Sequence, residues 1–107
     1  MPKDFVIAGV DNEAPERPGF AEPTVVQVYP NPSRGVVNVR YALPSALNVR
    51  VEVYDVLGRR VAVLHEGEQA AGEHTAMWEA GAASSGLYLL RIRTDDRTLT
   101  KTVTLVR

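Results

Sequence analysis

The sequence predicts an all-β sandwich. Three observations carry that expectation. Apolar residues recur at every second position in several segments, turn-forming residues interrupt the chain at roughly eight-to-twelve-residue intervals, and no stretch holds a helical period. Val is abundant, Thr is frequent near the C-terminus, and 8 Gly and 7 Pro supply the punctuation.

Residues 25–29 read as a first strand, stopped by Pro30, Asn31 and Pro32. Proline donates no ladder hydrogen bond and pushes its predecessor toward extended geometry. Gly35 releases the chain into residues 36–41, where Val37, Val39 and Tyr41 share a face, and Leu43, Pro44 and Ser45 form the next break. Residues 47–54 alternate Val49, Val51 and Val53 against Arg50, Glu52 and Tyr54. Asp55, Val56, Leu57 and Gly58 make a turn, with Gly58 tolerating the positive φ that hairpins need. Residues 60–64 return, carrying Val61 and Val63. A loop from Gly67 through Gly72 precedes a strand over 73–78, with His74, Ala76 and Trp78 on one face. After a small-residue loop over 80–86, residues 87–94 align Tyr88, Leu90 and Ile92. Asp95 and Asp96 turn the chain into a Thr-rich strand over 99–106. The result is about seven antiparallel strands, the pattern of a minimal immunoglobulin-like sandwich over residues 25–107.

Residues 1–24 differ. Residues 11–23 are rich in Pro and acid and read as a linker, since they hold too little apolar surface to offset chain entropy. Phe5, Val6, Ile7 and Ala8 before it fit either the last strand of a preceding domain or a disordered tail. No cleavable leader pattern opens the chain, and no apolar run approaches the roughly 18 residues that span a bilayer.

Composition narrows the function classes. Twelve basic and thirteen acidic side chains leave a net charge of −1 across 107 residues, without the basic excess of a nucleic-acid binder. With no Cys there is no disulfide, thiolate zinc site or thiol nucleophile. His65 and His74, with Glu66, Glu68 or Glu73 nearby, lack metal-ligand spacing and read as a loop-end and a strand histidine. Ser33, Ser45, Ser84 and Ser85 include no nucleophile elbow. Asp95 and Asp96 sit on a turn, where Asp bonds its own backbone rather than converging on a cleft. Trp78 and the four Tyr are candidates for a sugar-stacking platform, but the parity of Trp78 with Ala76 places it in the core. Arg59, Arg60, Arg91 and Arg93 read as solvated faces balanced by nearby acids. No catalytic, metal or cofactor constellation emerges.

The turn punctuation is more specific than the strands. In order run Val28-Tyr29-Pro30-Asn31-Pro32 with Gly35, Tyr41-Ala42-Leu43-Pro44, Val53-Tyr54-Asp55-Val56-Leu57-Gly58-Arg59-Arg60-Val61, Ala71-Gly72-Glu73-His74 ahead of Trp78, Ser84-Ser85-Gly86-Leu87-Tyr88, and Lys101-Thr102-Val103. This series resembles the C-terminal sorting domains (type A) of the type IX, or Por, secretion system of Bacteroidetes-like bacteria, across residues 25–107.

The resemblance implies a non-catalytic address label on a larger exported cargo. The partners it implies are the type IX translocon, an outer-membrane shuttle protein and a cell-surface sortase cutting near residues 11–23. The destination would be the cell surface or the medium by way of the periplasm, with a signal peptide upstream. Recognition would fall on Ser85, Gly86 and Tyr88 and on Lys101, Val106 and Arg107. The physical rationale is a Thr-rich edge strand with a free end, open to pairing with a partner strand and to weak homodimerisation. Pro30, Asn31, Pro32, Gly35, Asp55, Gly58 and Gly72 match the family as fold-defining turns. One departure is Ser33, where phenylalanine often follows the Pro-Asn-Pro turn; looser packing is expected there. A reading from another class is an accessory carbohydrate-binding or adhesion module.

Overall fold

The computed structural model describes residues 22–107. The expected preceding strand and nearly all of the expected linker lie outside the described residues. Seven strands follow: β1 (Thr24–Tyr29), β2 (Val36–Leu43), β3 (Leu47–Asp55), β4 (Arg60–Gln69), β5 (Gly72–Glu79), β6 (Gly86–Arg93) and β7 (Thr98–Leu105). One sheet has the order β1-β2-β5 and the other β4-β3-β6-β7, with every strand pair antiparallel. Among immunoglobulin-like sandwiches, this arrangement differs from the constant type in that the fourth strand joins the second sheet.

The period-two pattern decides which side chains meet between the sheets. Val37, Val39, Tyr41, Leu43, Ala76 and Trp78 come from the first sheet. Val49, Val51, Val53, Tyr88, Leu90, Ile92, Val103 and Leu105 come from the second. Burying each of the larger aliphatic side chains contributes about 1.5–3 kcal/mol. Trp78 is 5% exposed and meets Tyr88 edge-on at 5.0 Å, so it is a core residue and offers no stacking platform. The Tyr41 hydroxyl donates to Gln69 Oε1, tying the two sheets together, and burial pushes its pKa up.

Two sequence expectations, the extent of the fourth strand and the packing at Ser33, are corrected, and the facing of β4 is settled. β4 runs to Gln69, so Gly67 lies inside a strand opposite Val49 and only Ala70 and Ala71 separate β4 from β5. Val61 and Val63 point outward, and Ala62 and Leu64 pack on the core. The cause is a pair of register shifts between β3 and β4, at Val51/Glu52 and Val53/Tyr54, which change the parity along β4. Ser33 is fully buried and tightly held: its hydroxyl donates to Val36 O at 2.7 Å and accepts from Gly35 N–H at 3.1 Å. The smaller residue is integrated by hydrogen bonds, not left loose.

Candidate recognition surface

The recognition candidates sit on the last two strands. Gly86 pairs with Leu105, so Ser85 and Gly86 stand beside Val106 and Arg107 at one pole of the sandwich. Gly86 has φ 150, a conformation that side-chain-bearing residues rarely adopt, which fixes glycine at the entry to β6. Tyr88 is buried; its hydroxyl donates to Ser84 O at 2.6 Å. It therefore shapes the loop from beneath. Lys101 lies opposite Leu90, four residues up β7 from Leu105, or roughly 14 Å. It shares the parity of buried Val103 and Leu105 yet is exposed, in a groove beside Val25, Val26, Val28 and Asn31.

The end of β7 is not free. Asn31 Nδ2 donates to Thr102 O at 3.3 Å and Asn31 Oδ1 accepts from Thr104 N–H at 3.0 Å. Ser33 N–H donates to Thr104 O and Val106 N–H donates to Ser33 O, both at 2.8 Å. The segment after β1 thus leaves the first sheet and covers the C-terminal half of the β7 edge. By the period of two, the backbone groups of Thr100 point the same way, and no described residue pairs with them. The open edge is accordingly the first half of β7.

Arg107 is also engaged. Its guanidinium donates to Ala83 O from Nε at 3.1 Å and from a terminal nitrogen at 2.8 Å, and it reaches Gly81 O and Arg34 O. One side chain thereby holds the loop before β6 and the turn before β2.

The β3–β4 hairpin tip adjoins this pole. Asp55 Oδ1 accepts from Leu57 N–H and Arg59 N–H at 3.0 Å, and Gly58 N–H donates to Asp55 O at 3.0 Å. The hydrogen bonds from the Arg59 and Leu57 N–H groups, with the 2.8 Å ion pair to Arg59, hold the Asp55 carboxyl below its usual range. Gly58 completes the turn at φ 84. The expectation that Asp55 and Gly58 define this turn therefore has a specific geometry behind it.

On the outer face of the second sheet, Glu52 is 1% exposed although its parity places it opposite the core. Arg60 donates to it at 3.1 Å and Tyr54 Oη at 3.1 Å, with Arg93 at 3.4 Å and Arg50 at 3.8 Å. Burial pushes its pKa up, but the hydrogen bonds from Arg60 and Tyr54 and the charges of Arg93 and Arg50 outweigh this and hold it low. Arg91 stacks over Tyr54 at 4.5 Å. Sequence reading missed this cluster; its signal was the Arg-x-Glu and Arg-x-Arg alternation of residues 50–52 and 91–93, legible only once Glu52 is known to pair with Arg91.

His65 bonds the carbonyl of Gly67 and His74 that of Ala70, each within its own segment. Among the described residues, no three His, Cys, Asp or Glu side chains converge as metal ligands.

A family model described as "Secretion system C-terminal sorting domain" matches residues 27–106. The chain belongs to this family. The sorting domain is also similar to a crystal structure of dimeric latent PorU from Porphyromonas gingivalis, with a TM-score of 0.62 and 25% identity over 82% of this chain. It spans 10% of that chain's length. No curated protein matches it by sequence. The family places the sandwich in type IX secretion as a C-terminal sorting signal, and the sorting domain's β1–β2 turn, β6 loop and chain end meet at one pole.

Proposed function

We propose that the sorting domain is a non-catalytic address, read in its folded form by the type IX translocon and its outer-membrane shuttle protein. The family match over residues 27–106 carries this reading. Ser85, Gly86, Val106 and Arg107 supply a contiguous contact, Tyr88 sets the loop beneath it, and Lys101 is a second contact at the groove beside β1. The juxtaposition of Gly86 with Leu105 supports one composite surface. The polar side chains also support a role without chemistry: Asp55, Asn31 and Ser33 are spent on turns and edges.

The cargo travels by way of the periplasm behind an upstream signal peptide and reaches the cell surface or the medium. A cell-surface sortase then separates it from the domain near residues 11–23. Weak homodimers form through the open half of the β7 edge. The test is a reporter carrying a signal peptide, with or without residues 22–107 at its C-terminus, in a host with a type IX system. Surface or medium delivery only with the domain is expected. Equal periplasmic retention of both fusions overturns the proposal.

A further inference from the structure

The hairpin tip carries two large apolar residues that the fold does not use. Leu57 is 74% exposed and Val56 65% exposed. The turn itself is held by Asp55, Gly58 and backbone groups, so polar residues would serve equally at these two positions. Across a groove of about 200 Å³ stands Leu87, 45% exposed, with Ser84, Ser85 and Gly86 among its lining residues. The sandwich is electrostatically uneven here. At this pole Arg34 and Arg107 stand against Glu79, with Arg59 paired to Asp55 and Arg60 drawn up the sheet to Glu52, whereas at the opposite end Glu68, Asp95 and Asp96 stand beyond the pairs Glu22–Arg97 and Glu73–Arg40.

We infer that Val56, Leu57 and Leu87 form an apolar docking surface for a protein partner that offers an apolar cleft rimmed by carboxylates. The positive charge of Arg34 and Arg107 selects the acidic rim, and the groove lined by Ser85 and Gly86 selects a shaped protein surface over a flat bilayer. Exposed apolar side chains on a rigid turn enter such a cleft with little ordering cost, as binding hot spots do. The inference rests on the sorting reading above and assigns it a contact on the β3–β4 hairpin.

The test uses the full-length cargo in its secreting host. Val56→Ser/Leu57→Ser, Leu87→Thr and Arg34→Glu are each expected to lower export about tenfold or more while the melting temperature of the isolated domain is unchanged. Met77→Ser is the control; Met77 is an exposed apolar residue on the other sheet, and its variant is expected to export normally. If the double variant melts early, Leu87→Thr and Arg34→Glu decide. Normal export of stably folded tip variants overturns the docking surface, provided that deleting residues 22–107 still blocks export; normal export of the deletion overturns the sorting reading instead. Sedimentation with phosphatidylglycerol and phosphatidylethanolamine vesicles is expected to show no binding. Vesicle binding lost in the double variant would assign the surface to lipid and overturn the protein partner.

Discussion

Ser33 and Leu105 form a parallel bridge that joins the turn after β1 to the last strand. Ser33 also closes its own turn, bonding Val36 O and Gly35 N–H through its hydroxyl. Ser33→Ala keeps the backbone bridge but leaves a partly buried acceptor and donor without their hydroxyl partner. The expected cost is about 1–3 kcal/mol, read as a lower urea midpoint with an unchanged slope. An unaltered midpoint would mean that water replaces the hydroxyl.

The Glu52 cluster predicts a pH dependence. The folded carboxyl gives up its proton more readily than the unfolded one, whose value is near 4.5. Its stabilisation is therefore fully present above about pH 5 and falls as the pH drops from there through the folded value. Asp55 acts in the same direction. Glu52→Gln is expected to cost about 1.5–3 kcal/mol at pH 7, since charged hydrogen bonds to Arg60 and Tyr54 are lost, and progressively less as the pH falls through the folded value. Urea titrations of both proteins across this range check it. Parallel curves would show that Glu52 does not titrate differently on folding.

Trp78→Ala removes a large side chain from between the sheets and the edge-on contact with Tyr88. The expected loss is about 3–5 kcal/mol, a large share of what a domain of this size possesses. Thermal unfolding followed by circular dichroism measures it. A variant that melts like the parent would contradict a core role.

The alternation of β2, β3, β5 and β6 was legible because an isolated pleat exposes its parity in the sequence: Val37 to Tyr41, Val49 to Val53 and Tyr88 to Ile92 all face the core. β4 was not, because the register shifts opposite Glu52 and Tyr54 depend on its pairing with β3 and leave no mark in β4 itself. The same holds for the site. The turn motifs marked Ser85 and Gly86 as candidates, but the closure of the β7 edge by Asn31 and Ser33 joins residues far apart in the chain. Glu52 looked like one more outward charge because Arg60 and Arg93 reach it from other strands.

Arg107 yields the last prediction. Its guanidinium spans the carbonyls of Gly81, Ala83 and Arg34, a planar fork of donors that a lysine ammonium does not reproduce. Arg107→Ala therefore frees the 81–86 loop without touching the core, where Tyr88 and Trp78 remain packed. Hydrogen exchange of the amides in this loop is expected to accelerate by about tenfold, while exchange in β3 and β6 stays as it was. Arg107→Lys is expected to fall between the two. The core amides report global stability and the loop amides report the clasp, so the two effects separate within one measurement. Equal loop exchange in the parent and in Arg107→Ala would show that Tyr88 and the backbone turn at Ala80 hold the loop alone.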